Sequence, residues 1–137
     1  MIDLYTWHTP NGRKVSIMLE EIGMDYNVHS INIAKDEQFQ PHFLKVSPNN
    51  RIPAIVDKDN NNYSLFESGA ILMYLAEKSG KLINKSNSDE YYRTIEWLMW
   101  QMGGVGPMFG QVHHFVKYNK GKSAYAEERY SKEARRL

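Results

Sequence analysis

The sequence predicts an α/β domain built on a mixed four-stranded sheet, followed by an all-helical segment. Three patterns lead to this fold class. Short runs of apolar residues, typical of strands, recur up to about residue 66, and a helical run separates the first two of them. Two of the strands form a hairpin. Beyond residue 88 the apolar residues follow helical spacing only.

The chain begins with a predicted strand, helix and second strand. Ile2 to Trp7 predicts the first strand, which stops at Thr9-Pro10-Asn11-Gly12. The apolar residues of the helix that follows recur at i, i+3, i+4 and i+7, and they are Val15, Met18, Leu19 and Ile22. Gly23 stands where a left-handed C-cap belongs. A strand between Tyr26 and Ile33 then predicts a parallel pair joined by a right-handed crossover.

The remainder of the first half predicts a hairpin and a closing helix. Residues 38 to 46 indicate a short helix or turns. Ile52 to Asp57 predicts a strand with a proline near its start, which strands tolerate. A turn leads back into a strand from Tyr63 to Phe66, and Glu67-Ser68-Gly69 opens a helix that runs to Lys78.

These elements predict three parts of the chain. Residues 1–80 form the α/β domain, residues 81–88 a polar linker, and residues 89–137 a helical domain. The last helical pattern has no C-cap, glycine or proline to end it. The helical domain is therefore expected to be incomplete or to pack against a partner.

Within the helical part, Ser88 is predicted to cap the first helix, with acidic residues in the first turn after it. Gly103 to Pro107 predicts an interruption or kink. A last amphipathic helix is expected from about Tyr125 to Leu137. Four aromatic residues of this part could form a wall or a dimer face, but burial is the simpler expectation for them: Tyr91, Tyr92, Trp97 and Trp100.

Charge and hydropathy exclude two classes of partner. Seventeen basic and sixteen acidic residues leave a formal charge of +1, without the basic excess of a nucleic-acid-binding protein. No run approaches the roughly 20 apolar residues that a membrane helix needs. The first residues lack the pattern of a secretory signal, so a cytoplasmic location is expected.

The chain contains no cysteine, which excludes disulfides, thiolate zinc sites and cysteine nucleophiles. If the protein handles thiol chemistry, the sulfur must arrive with a ligand. Five histidines are present, but His113 and His114 are adjacent and point about 100° apart on a helix. No HExxH motif or carboxylate cluster accompanies them, so no metal site is expected.

The start of the first helix is one candidate site. Arg13 and Lys14 carry the wrong sign for the helix dipole, which an anion bound near Thr9 and Asn11 would explain. The anion could be a thiolate or a carboxylate. The alternative is that Asn11 is only the N-cap and the two cations are solvated; the local pattern favours this alternative.

Two further turns are open to a functional and an ordinary explanation. Glu67 and Ser68 could hold the ammonium and carboxylate of an amino-acid head group, but an ordinary helix cap is the simpler explanation. A cis Ile52–Pro53 bond would turn the main chain of Ile52 toward an extended peptide. A trans proline that protects a sheet edge is equally compatible with the local sequence.

Taken together, five stretches resemble the glutathione S-transferase family, in particular its Nu-class bacterial enzymes and the related yeast nitrogen-regulator branch. The resemblance covers essentially the whole chain and implies a thioredoxin-like first domain. That family continues through further helices that are absent here. The five stretches are Thr9 to Gly12, Ser47 to Asp57, Leu65 to Leu72, Trp100 to Gln111, and Glu128-Arg129-Tyr130.

The resemblance implies a role for each matching residue. Thr9 and Asn11 are the catalytic pair, which receives the sulfur of glutathione in place of the Tyr, Ser or Cys of other classes. Five further residues are implied to bind glutathione. Gln38 contacts the tripeptide, and Ile52 pairs with its cysteinyl backbone. Glu67 and Ser68 hold the γ-glutamyl group, and Arg129 reaches glutathione across a dimer interface.

The resemblance also implies an activity. Glutathione, reduced or oxidised, is the expected co-substrate, and a small disulfide or electrophile is the second substrate. The expected reaction is glutathione-dependent disulfide reduction, with weaker transferase or peroxidase activity, in a homodimer. The alternative is a non-catalytic regulatory or interaction module of the same fold, because fold alone does not fix function.

Overall fold

The structure, a computed structural model, describes residues 1–137. The chain divides into two compact units, Met1–Asn84 and Lys85–Leu137. Each unit is described by itself below. No helix in either unit has the length and apolar character needed to cross a membrane.

The first unit contains four strands and three helices around one mixed sheet, as the sequence predicts. The strand order is β2-β1-β3-β4; β1 is parallel to β2 and antiparallel to β3, and β3 is antiparallel to β4. Two 3₁₀ turns precede α2. The elements are β1 (Ile2–Thr6), α1 (Pro10–Ile22), β2 (Tyr26–Ser30), the 3₁₀ turns Ile33–Lys35 and Glu37–Phe39, α2 (Pro41–Leu44), β3 (Ala54–Asp57), β4 (Tyr63–Phe66) and α3 (Ser68–Ser79).

The core of this unit lies between the sheet and the two long helices. The apolar stripe of α1 is buried as its spacing predicts, and α1 ends at Gly23 in the left-handed conformation, with φ of 68°. Each large aliphatic side chain buried here contributes about 1.5–3 kcal/mol to folding. The largest completely buried residues of this cluster are Ile2, Leu4, Val15, Leu19, Ile55, Ile71 and Leu75.

Two strands are shorter than the sequence suggests. β2 ends at Ser30; Ile31 is buried beyond it and Ile33 opens a 3₁₀ turn, because β1, the partner of β2, ends at Thr6. β3 begins at Ala54 rather than Ile52: its first ladder pair is Tyr5–Ala54, and Pro53 has no backbone N–H to donate to a ladder. Both differences lie where β1 ends, since β2 stops opposite Thr6 and β3 begins opposite Tyr5.

The second unit is entirely helical. Its helices are α4 (Ser88–Trp100), α5 (Gly106–Val112) and α6 (Ala124–Arg136), with π-helical turns at Gln101–Val105 and His113–Tyr118. Asn87, not Ser88, caps α4: Oδ1 of Asn87 accepts hydrogen bonds from the backbone N–H groups of Asp89 and Glu90.

The glycine-rich stretch of this unit changes the helix without ending it. The π turn of Gln101–Val105 interrupts the α-helical hydrogen bonds directly before α5, and Pro107 stands at the start of α5. Proline lacks the N–H that an α-helix interior needs, and it is tolerated in the first turn of a helix. The predicted interruption is therefore present as a wider turn of continuous helix.

The second unit buries none of its residues, and this contradicts the expectation for its tryptophans. Trp97 is 59% exposed and Trp100 is 42% exposed; their rings pack edge-on, 5.3 Å apart. Helical spacing alone cannot tell a buried face from one that awaits a neighbour. The unit therefore exposes an aromatic surface.

A buried carboxylate ties the hairpin to α3. Asp57, at the end of β3, is fully buried and accepts hydrogen bonds from Nζ of Lys78 (2.6 Å), Oη of Tyr74 (2.6 Å) and the N–H of Asp59 (3.0 Å). Burial raises the pKa of the Asp57 carboxyl, but these three hydrogen bonds outweigh it and leave the pKa below its usual value.

The variant Asp57→Asn is expected to lower the free energy of unfolding by about 2 kcal/mol at neutral pH, because it removes the charge that Lys78 faces. A carboxyl whose pKa is depressed by folding stabilises the fold above its unfolded pKa, near 4, and this contribution is lost as the pH falls through the folded pKa. Between pH 7 and pH 3, the free energy of unfolding measured with urea should therefore fall less in the variant than in the parent chain. Asp25→Asn, at an exposed position, is the control; equal behaviour of the two variants would contradict the assignment.

Candidate functional site

Three turns lie at one edge of the sheet. Tyr5 of β1 pairs with Ala54 of β3, which pairs with Phe66 of β4. The end of β1, the start of β3 and the end of β4 therefore meet there. The turn into α1, the Pro53 loop and the turn into α3 follow or precede these strand ends directly.

The turn into α1 is capped by Thr9. Its backbone is extended, with φ of −127° and ψ of 158°, and Oγ1 of Thr9 accepts a hydrogen bond from the N–H of Gly12 (3.1 Å). The alternative that Asn11 is the N-cap is therefore wrong. A hydroxyl that accepts can still donate its hydrogen, so Thr9 keeps a donor for a ligand.

Asn11 is exposed in the first turn of α1. Oδ1 of Asn11 accepts a hydrogen bond from Nζ of Lys14 (3.0 Å). Its NH₂ group makes no hydrogen bond within the chain. Asn11 thus offers two amide hydrogens at the start of a helix, where the dipole favours a negative charge.

Gly12 allows α1 to start close to the end of β1. A Cβ atom on Gly12 would lie 2.6 Å from the carbonyl oxygen of Trp7 and closer still to Oγ1 of Thr6. Neither contact is compatible with a side chain. The glycine is therefore required by the approach of helix to strand, which holds Thr9 and Asn11 where they are.

Lys14 also lies at this turn, and the sequence leaves open whether it is a solvated cation or accompanies a bound anion. It is half-buried, whereas Arg13 beside it is exposed. Burial lowers the pKa of Lys14, and the charge of Glu67 opposes that shift, so Lys14 lies near the starts of both helices. The i, i+3 spacing from Asn11 is the sequence signal that could have indicated the contact.

The Pro53 loop carries the cis peptide bond that the family resemblance implies. Ile52 lies outside the β3 ladder, so the sheet does not use its main chain, and its side chain packs against the small cluster of Ile31, Phe43 and Ala54. Oγ of the fully buried Ser47 donates to the carbonyl oxygen of Arg51 (2.8 Å) and closes the loop. Because the Ile52–Pro53 bond is cis, the alternative of a trans proline that protects a sheet edge is wrong.

The turn into α3 has an unusual backbone. Glu67 is the N-cap, with φ of 73° and ψ of 112°, and its side chain makes no capping hydrogen bond. Ser68 is the first helical residue, is buried, and is not the cap. A non-glycine residue in such a conformation costs on the order of 1–3 kcal/mol and is found preferentially at functional sites.

Gln38 and Arg129 lie in other parts of the chain. Gln38 is in the 3₁₀ turn Glu37–Phe39, and its Oε1 atom is buried without a hydrogen-bond partner. Arg129 is an exposed residue of α6 and lines a groove of about 610 Å³ within the second unit, together with Tyr125 and Met108.

The arrangement of the first unit agrees with comparisons to known proteins. Residues 1–77 match the family model of the glutathione S-transferase N-terminal domain, which covers more than half of the chain. The chain belongs to the glutathione S-transferase family. A glutathione transferase family member from Pseudomonas fluorescens, crystallised with two glutathione molecules bound, superposes on 98% of this chain with a TM-score of 0.93 and 53% identity.

Two curated relatives carry different functional names. The disulfide-bond oxidoreductase YfcG of Escherichia coli is 50% identical over 141 residues, covering 100% of this chain and 65% of YfcG. The transcriptional regulator URE2 of Saccharomyces cerevisiae is 39% identical over 133 residues, covering 93% of this chain and 38% of URE2. The chain spans 61% of the Pseudomonas structure, so it is shorter than each of these relatives.

Proposed function

We propose that this chain binds glutathione at the sheet edge formed by the three turns and uses the glutathione thiolate to reduce a small disulfide. Weaker transferase activity toward electrophiles and peroxidase activity are proposed beside it. The observation that supports this function best is the meeting of the α1 start, the Pro53 loop and the α3 start at one edge. The names of YfcG and of the glutathione-bound relative point to the same chemistry.

Thr9 and Asn11 are proposed to activate the sulfur. The pKa of a free thiol of this type is about 8.5, so little thiolate exists at neutral pH. The Thr9 hydroxyl, the Asn11 amide and the dipole of α1 stabilise the thiolate and lower that pKa. The chain contributes no thiol of its own, because it contains no cysteine.

The proposed reaction consumes two glutathione molecules. The first thiolate attacks one sulfur of the substrate disulfide, forms a mixed disulfide and releases the other half as a thiolate, which takes up a proton. A second glutathione thiolate attacks the glutathione sulfur of the mixed disulfide and releases the second substrate thiol. Glutathione disulfide is the oxidised product, and the substrate disulfide is reduced to two thiols.

The other proposed residues hold the tripeptide. The exposed main chain of Ile52 is proposed to pair with the cysteinyl backbone. Glu67 receives the γ-glutamyl ammonium, and Ser68, with the first N–H groups of α3, receives the carboxylate. The buried, unpartnered Oε1 of Gln38 gains a donor when an N–H of the tripeptide reaches it.

A homodimer is proposed, with Arg129 directed to glutathione across the interface. The aromatic surface around Trp97 and Trp100 supports association, because exposed apolar patches of this kind mark interfaces.

The domain division at 1–80, 81–88 and 89–137 remains a proposal beside the two compact units. A cytoplasmic location is also proposed, since glutathione is kept reduced there.

Titration calorimetry with reduced and then oxidised glutathione, combined with turnover of a model disulfide, tests the proposal. We expect binding of both forms, preference for the oxidised form, and glutathione-dependent turnover. Sedimentation of the same sample is expected to show a dimer. Absence of glutathione binding would overturn the proposal.

Glu67→Gln is expected to weaken glutathione binding about tenfold, because it removes the charge that faces the ammonium while keeping the size of the side chain. Glu21→Gln, at an exposed position on α1, is the matched control and should leave binding unchanged. An equal effect of the two changes on the calorimetric affinity would remove Glu67 from the site.

The second candidate function is a non-catalytic regulatory module, and the similarity to URE2 favours it specifically. The same experiment separates the two. Binding of glutathione without turnover of the disulfide supports the regulatory module, whereas binding with turnover supports the reductase.

A further inference from the structure

We infer that Lys14 is a positioning residue that orients the amide of Asn11, so that its NH₂ group rather than its oxygen is presented to the bound sulfur. This inference rests on the proposed function. The charge of Lys14 is part of the pattern that indicates a bound anion, but neither that pattern nor the family resemblance gives Lys14 a role in orienting Asn11.

The chemistry of the two side chains fixes the orientation of the amide. Nζ of Lys14 lies 3.0 Å from Oδ1 of Asn11. An ammonium group has three donors and no acceptor, so only the oxygen of the amide can face it. A flipped amide would set NH₂ against the ammonium and lose the bond. The NH₂ group of Asn11 is therefore turned away from Lys14, and a thiolate can accept its hydrogens.

The stability of α1 gives no reason for a lysine here. Lys14 is the fifth residue of α1, near the positive end of the helix dipole, where a cation is unfavourable, and α1 has no acidic residue in its first turn to offset it. Arg13 adds a second cation but is exposed, whereas Lys14 is half-buried. Burial of an ammonium is unfavourable, which the lowered pKa of Lys14 reflects.

Glu67 provides an opposite charge that partly offsets the effect of burial on the pKa of Lys14, so the two charges lie close together. Glu67 stands at the N-cap of α3 and Asn11 in the first turn of α1. Lys14 therefore makes its hydrogen bond at the start of α1 and is influenced by a charge at the start of α3.

The test compares Lys14→Met, Lys14→Arg and the neighbouring control Arg13→Met in the 137-residue chain. The pH dependence of thiolate absorbance with bound glutathione gives the pKa of the bound thiol. We expect Lys14→Met to raise that pKa by about one unit and to lower disulfide turnover at pH 7 about tenfold. Arg13→Met should change neither, and Lys14→Arg should restore most of the activity.

A measurement without ligand keeps the inference independent of catalysis. The two side-chain NH₂ resonances of Asn11, observed by ¹⁵N NMR, should shift in Lys14→Met and stay unchanged in Arg13→Met. Equal spectra and equal thiol pKa values in these two variants would overturn the role of Lys14 while leaving the proposed function intact. If calorimetry shows no glutathione binding to the parent chain, the proposed function and the role of Lys14 both fail.

Discussion

Replacing Gly12 by alanine is expected to lower the free energy of unfolding of the first unit by about 3 kcal/mol, the upper part of the range for overpacking. The new methyl group would lie 2.6 Å from the carbonyl oxygen of Trp7. That carbonyl cannot move freely, because it accepts a hydrogen bond from the N–H of Thr9 (2.7 Å). The start of α1 must therefore shift away from β1.

Thermal and urea unfolding measure this effect, and a loss of this size lowers Tm by roughly 12–24 °C in a unit this small. Gly110→Ala is the control, because a Cβ atom there meets no heavy atom within 4 Å. Alanine is the better helix former, so the control should be neutral or stabilising by up to about 1 kcal/mol. Unchanged unfolding of Gly12→Ala would refute the close approach of helix to strand.

Replacing Asn11 by alanine is expected to reduce disulfide turnover about a hundredfold, since removal of one donor to a reacting anion has an effect of this order. The loss should appear in kcat/KM with glutathione as the varied substrate. The side chain is exposed, so the fold should tolerate the change. Unchanged turnover would remove Asn11 from the mechanism.

Asn11→Asp separates catalysis from stability more sharply. The variant keeps the size of the side chain but replaces the NH₂ donors by an oxygen and adds a negative charge beside the thiolate. It also places an acid in the first turn of α1, next to Lys14, which stabilises the helix by about 0.3–1 kcal/mol. The expected result is a chain at least as stable as the parent with turnover as low as that of Asn11→Ala. Substantial turnover in Asn11→Asp would contradict the donor role.

The strand and helix order of the first unit was predictable, because local periodicity and turn residues determine it. The spacing of α1 and the position of Gly23 fix that helix within a few residues. The caps were less predictable. Thr9 and Asn87 took the extended backbone of an N-cap, while Asn11 and Ser88, which also cap helices well, entered the helix. Pro10, at the first helical position, is the sequence signal that favours Thr9 over Asn11.

Contacts between distant residues account for most of what the sequence missed at the site. Local sequence left the Ile52–Pro53 bond open, and only the family resemblance implied the cis form. The strained backbone of Glu67 and the burial of Lys14 depend on how α3 and α1 meet the sheet. The exposure of Trp97 shows the same limit, since a pattern of apolar residues does not reveal which helix face has a neighbour.

The π turn at Gln101–Val105 has a geometric consequence for the helix that follows it. Such a turn contains about one residue more than an α-helical turn, and one residue corresponds to a rotation of about 100° around the axis. The side chains of Gly106–Val112 are therefore rotated about the helix axis relative to the positions that one continuous helical wheel from Ser88 would give them. A homologue with one residue fewer in this stretch would present a different stripe of α5 to the same surroundings, even with every other amino acid identical.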